Sequence, residues 1–157
     1  MIVSFDLDDT LFVSPQDFKV ENELKFPWNK IYKERLRYGT ISLFKRLEER
    51  GIEIWIYTTS FRSEKYIRKL LKHYRLKVAQ VVNGQRHMRE VQGDKKEPMP
   101  SKYPGKYRID LHVDDDISVA QNGSVYGFKV HILGAQDDLW AERIIEKVER
   151  IITKHPL

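Results

Sequence analysis

The chain has 157 residues, with 28 Lys and Arg against 23 Asp and Glu, a formal charge of +5, and 41% hydrophobic residues. That length suits one domain, and the apolar share is enough to bury a core, so a disordered chain is excluded. Cysteine is absent, which excludes disulfide frameworks, thiolate nucleophiles and zinc-thiolate sites.

No apolar run approaches the ~20 residues of a membrane span. The opening MIVSFDLDDT does not read as a signal peptide, because acids follow its short apolar stretch at once. A cytoplasmic protein without membrane contact is the default expectation.

Residues 1–5 are apolar β-formers that end abruptly in Asp6-Leu7-Asp8-Asp9, the pattern of a buried strand with acids at its tip. Residues 12–30, broken by Pro15 and Pro27, read as an irregular flap. Ile41, Phe44 and Leu47 recur at helical spacing before Gly51. Residues 52–57 form a second strand ending in Thr58-Thr59-Ser60. Ser63 then caps a helix with Ile67, Leu70, Leu71 and Tyr74 on one face. A third strand covers residues 78–82 and a polar insert loop covers residues 83–106. A fourth strand, 109–113, ends in Asp114-Asp115-Asp116. A fifth is expected over residues 126–133, and Trp140, Ile144, Val148 and Ile151 mark a final helix.

Strands alternating with helices predict an α/β fold: a three-layer, Rossmann-like, parallel five-stranded sheet with helices on both faces. Residues 1–157 read as a single catalytic domain carrying the flap and the insert.

Three strands end in acids or hydroxyls: Asp6 and Asp8, Thr58 to Ser60, and Asp114 with Asp115. In a parallel sheet all these tips point the same way, and ligands bind there, at the switch in strand order. Several carboxylates at one place stay ionised only if a cation neutralises them. Oxygen donors without His or Cys favour magnesium. Asp6 and Asp8, two residues apart, point to the same side and suit a nucleophile beside a general acid/base.

The stretch Phe5-Asp6-Leu7-Asp8-Asp9-Thr10-Leu11 resembles the first motif of the haloacid dehalogenase superfamily, DxDxT after an apolar strand. Ile-Trp-Ile-Tyr-Thr58 is similar to its second motif, and Val113-Asp114-Asp115 to its acidic fourth. The resemblance covers nearly the whole chain. It implies a Mg2+-dependent phosphatase that hydrolyses a phosphomonoester through an aspartyl-phosphate on Asp6. Asp8 is then the general acid/base and a carbonyl ligand of the metal, with Asp6 a further ligand. Thr58 binds the phosphoryl group, with Thr10, Thr59 and Ser60 beside the substrate. Asp114 and Asp115 share the metal, and which of them binds it directly stays open. The motif lysine is Lys102, with Lys106 as the alternative.

The flap and insert are too short for a typical folded cap, so the chain resembles the capless members. These act on large substrates or borrow a lid from a neighbouring subunit, which leaves oligomers open. The partner expected is a phosphorylated substrate, small or macromolecular. Nucleic acid has little support, since Lys65–Lys77 and Lys95-Lys96 read as solvated surface. A competing class is a non-catalytic or regulatory module of the same fold that binds a protein or nucleic acid. Singly, Asp9, Asp116, Arg62 and His112 are expected to be structural or surface residues; His87, in the polar loop, could reach a substrate, and for Phe26 and Trp28 on the flap substrate contact and flap anchoring are equally open.

Overall fold

The computed structural model describes residues 1–155. Five parallel strands form one sheet: β1 Ile2–Phe5, β2 Glu53–Tyr57, β3 Gln80–Val82, β4 Leu111–Asp114 and β5 Val130–Ile132. Their order is β3-β2-β1-β4-β5, and the sheet is parallel and Rossmann-like, as predicted. Val3 lies opposite Ile54 and Leu111, and Phe5 opposite Ile56 and Val113.

A single turn, α1 (Trp28–Ile31), lies in the flap, and α2 (Thr40–Glu49) completes the link from β1 to β2. α3 (Glu64–His73) links β2 to β3, stepping away from β1 in the same direction. α5 (Ile117–Tyr126) links β4 to β5 in the opposite direction, and α6 (Trp140–Lys154) follows β5. Right-handed crossovers therefore put α2 and α3 on one face and α5 on the other. Order reverses between β1 and β4, so a crevice opens at their C-terminal ends.

Strand alternation sends Val3, Phe5, Ile54, Ile56, Leu111 and Val113 to the first face. There they meet Phe44 and Leu47 of α2, Ile67, Leu70 and Leu71 of α3, and Ile144 and Val148 of α6. Each such side chain contributes about 1.5–3 kcal/mol when fully buried. This face therefore carries most of the stability. The opposite face buries Ser4, Tyr57 and His112 beside a small cluster of Tyr57, Val82 and Ile109.

Strand starts differ from expectation by one or two residues except at the last strand. The fifth strand begins at Val130 rather than 126, because α5 runs to Tyr126 and ends at Gly127 with φ +77. α5 was not legible in the sequence. Only Val119 and Gly123 are buried on it, so it has no apolar stripe. Gly123 also weakens helix propensity by roughly 1 kcal/mol. It is required there, since a Cβ would lie 2.6 Å from the Phe128 carbonyl oxygen.

The insert is not an open loop. Asn83 caps α4 (Gly84–His87) through its side chain, a π turn follows at Met88–Gln92, and a 3-10 turn spans Pro104–Tyr107. The flap is pinned by bridges from Phe12 to Leu36 and Val20 to Arg37, and Trp28 stacks on His73 at 4.3 Å.

Candidate active site

β1 ends at Phe5, and the Asp6 N–H still donates to the Val113 carbonyl at 3.0 Å. The chain then folds into a tight turn. Thr10 and Phe12 N–H both donate to the Leu7 carbonyl, and Asp9 takes a left-handed φ of 61. That turn brings the Thr10 hydroxyl back over the strand tip. It donates to Asp115 Oδ1 at 3.1 Å and approaches Asp6 Oδ2 at 3.4 Å. Arg37 locks the turn from behind by donating to the carbonyls of Thr10 and Asp9.

The acids at the tips of β1 and β4 converge, as the sequence implies. Asp6, Asp114 and Asp115 each present an oxygen within 4.8 Å of the others. Lys102 reaches in from the insert and lies between two of them, 2.8 Å from Asp6 Oδ1 and 2.5 Å from Asp114 Oδ2. It is 3% exposed. Lys106 is exposed on the 3-10 turn, so Lys102 is the lysine that the fold delivers to the acids.

Asp114 and Asp115 have different surroundings. Asp114 is fully buried, and its oxygens already accept from Lys102, His112 Nε2 and the Asp116 N–H. Burial pushes its carboxyl up, but the His112 hydrogen bond and the Lys102 charge outweigh that and hold it well below the usual range. His112 is itself fixed by Ser4 at 2.7 Å from its Nδ1. Asp115 is exposed and accepts only from Thr10 in the hydrogen bonds of its side chain. Asp116 caps α5 through the Ser118 N–H, the structural role expected of it.

Asp6 is buried and its carboxyl is pushed up to about 7. Burial is the main cause; Lys102 opposes it and Asp114 adds to it. Three carboxylates against one lysine leave the site short of positive charge. The donor set fits a hard divalent cation: clustered carboxylate oxygens, no thiolate, and a histidine already committed to Asp114.

On the second strand, Thr58 is buried and its hydroxyl accepts from the Ser60 N–H at 3.0 Å. Thr59 is exposed at the rim. Ser60 accepts from the Arg62 N–H and Nη1, so neither residue caps α3; Ser63 does. Gly84 packs directly beneath this turn, since a Cβ would lie 2.6 Å from the Thr59 carbonyl oxygen.

Asp8 lies apart from the acid cluster. Its carboxylate receives Arg62 Nη1 and Nη2, both at 2.9 Å, in a bidentate pair. Arg62 also contacts Glu34 at 3.3 Å, and Tyr66 donates to the same glutamate at 2.5 Å. Sequence reasoning put Arg62 on the surface at a helix start. The structure instead makes it a clasp between the first two strand tips. A short flap and a turn bring it there, and neither leaves a periodic signal. His87 is buried against the Tyr57 hydroxyl at 2.7 Å.

Neither a family model nor a curated protein matches the chain. Solved structures do. A HAD-superfamily hydrolase, subfamily IA, variant 1, from Geobacter sulfurreducens superposes with a TM-score of 0.57 at 14% identity, over 93% of this chain and 98% of that one. A HAD-superfamily hydrolase from Ehrlichia chaffeensis gives 0.57 at 15%, over 96% and 97%. The HAD domain of the Legionella pneumophila effector Lem4 gives 0.53 at 14%, over 99% and 98%. This is a HAD fold. The likeness extends over nearly the whole of both chains.

Proposed function

We propose that the protein is a magnesium-dependent phosphomonoesterase with Asp6 as nucleophile. The observation that carries this reading is the convergence of Asp6, Asp114 and Asp115 around the single buried Lys102. The names of the solved relatives, HAD hydrolases, support it.

Asp6 and Asp115 would hold the cation directly, because the oxygens of Asp114 are already taken by Lys102, His112 and the Asp116 N–H. The ion supplies charge neutralisation for the phosphoryl oxygens and for the clustered carboxylates.

An Asp6 oxygen attacks phosphorus, and the bond to the leaving oxygen breaks as Asp8, protonated from solvent once one of its oxygens leaves Arg62, delivers that proton to it. Water then attacks the phosphorus of the aspartyl-phosphate while Asp8 takes its proton. The bond to Asp6 breaks, phosphate leaves, and Asp6 is again a free carboxylate. Lys102 and Thr58 stabilise the transferring group. Thr10 orients Asp115, and Ser60 holds the turn that carries Thr58 and Arg62. Thr59, at the rim, faces the leaving group. Arg62 and Glu34 are positioning residues for Asp8.

The test is release of phosphate from p-nitrophenyl phosphate by purified protein with and without magnesium. Turnover that needs the metal and vanishes in Asp6→Asn supports the reading. An inert wild type across a broad panel of phosphate esters overturns it in favour of a regulatory module.

A further inference from the structure

Charge is segregated on α6. Two of its glutamates face α2, where Glu142 bridges Arg46 at 2.5 Å and Glu149 bridges Arg50 at 2.8 Å. The basic residues fall on the opposite side, along the edge strand β5. Lys129, His131, Arg143, Lys147, Arg150 and Lys154 line an open groove of about 470 Å³ in which Glu146 is the one acid.

Little neutralises this groove. Arg143 is bound to Asp137 at 2.7 Å, and Arg150 approaches Glu146 only to 3.6 Å. Among the described residues, Lys129 and Lys147 lie within 4.0 Å of no carboxylate. Lys147 is held against the edge by donating to the Val130 carbonyl at 3.3 Å. Burial, then the charges of Arg150 and Lys129, push its ammonium below the usual range. His131 is pushed down as well, by burial and then by Lys147 and Arg143, with Asp137 opposing. Like charges gathered without counter-charge are unfavourable by themselves and favourable once an anion is bound.

The spacing selects the anion. Arg143, Lys147, Arg150 and Lys154 recur every three or four residues on one helix face and span about 16 Å at ~1.5 Å per residue. One nucleic-acid strand presents a phosphate about every 3.4 Å of duplex axis, so roughly four or five phosphates fit that length. Among the described residues the groove's one large apolar side chain, Ile151, is half-buried, so it offers lipid no apolar wedge. We propose that the β5–α6 edge docks the phosphate backbone of a nucleic acid. The proposal stands apart from the phosphatase reading and survives or fails separately.

The experiment is anisotropy of a labelled DNA duplex titrated with the full chain at about 50 and about 200 mM salt. At ~0.9 counterions released per contact, four contacts predict roughly a 150-fold loss of affinity between the two salts. The variant Lys147→Ala/Arg150→Ala should bind at least about tenfold more weakly at the lower salt and lose only about twelvefold across the range. Its melting temperature and its p-nitrophenyl phosphate turnover should match wild type. The control Lys65→Ala/Lys69→Ala, on α3, should bind as wild type does. No binding by wild type at low salt, an unchanged affinity in the groove variant, or loss of binding in the α3 control instead would overturn the proposal. So would groove-dependent binding to phosphatidylserine vesicles without oligonucleotide binding.

Discussion

The strand tips and the β5–α6 edge are unbalanced in opposite senses. At the tips Asp6, Asp114 and Asp115 surround one lysine. Along the edge six basic residues surround one glutamate. Asp6 and Asp114 are buried in the crevice where strand order reverses, so the imbalance there acts at low dielectric and is costly. The edge is open to water, so its imbalance is mild and screened by salt. One centre calls for a small, hard cation held by few ligands, the other for an extended polyanion held by many weak contacts.

Four changes would break or sharpen that contrast, and the first should be the largest. Lys102→Met removes the buried cation that Asp6 and Asp114 share, and leaves Asp114 with only His112 and the Asp116 N–H. It should abolish detectable phosphate release and lower stability by about 3–5 kcal/mol in a denaturant titration. A variant that melts and turns over as wild type does would show that Lys102 is not the balancing charge.

Arg62→Ala should reduce kcat for a poor leaving group by about 100-fold with little change in KM. Arg62→Lys should recover only part, because it cannot restore the bidentate grip on Asp8. Equal losses in kcat and KM, or full recovery by lysine, would count against a positioning role.

Stability of the metal-free protein provides the third contrast. The folded Asp6 carboxyl titrates at about 7, above its ordinary 3.8. Folded protein therefore keeps a proton that unfolded chain has lost between these values. The stabilising contribution is complete below pH ~4 and disappears as pH rises to about 7. Asp6→Asn should thus be nearly as stable as wild type at pH ~4.5 and more stable at pH ~7.5, by up to about 4 kcal/mol. Magnesium should shrink the gap. His87, His112 and His131, all held below their usual range, change stability in the opposite sense over this window. They are common to both proteins and cancel in the comparison. A gap that is flat with pH would contradict the burial of an unbalanced Asp6.

The smallest effect is expected from Lys106→Ala, which should leave kcat and stability within about twofold and ~0.5 kcal/mol of wild type, respectively. A large loss of turnover would reopen the choice between the two lysines.

The five parallel strands and the meeting of the β1 and β4 acids were legible because strands are short, apolar and end in chemically marked residues. The division of labour between Asp114 and Asp115 was not. It depends on His112 and Ser4 behind the sheet, and a single strand residue does not announce its partner across the ladder. Arg62 and Glu34 were missed because their contact closes over a turn and an irregular flap. α5 was missed because Gly123 and a short buried face give it no period. The basic edge was missed because its residues come from β5 and α6 and form no dense block in sequence.

The central claim is that phosphate passes through Asp6. The direct measurement is rapid acid quench of the protein turning over p-nitrophenyl phosphate with magnesium, followed by mass spectrometry of the peptide that contains Asp6. A phosphoryl group on Asp6, more abundant in Asp8→Asn because its hydrolysis is slowed and absent in Asp6→Asn, is the predicted result. Steady release of nitrophenol with Asp6 never phosphorylated, or with the phosphoryl group on another residue, would contradict it.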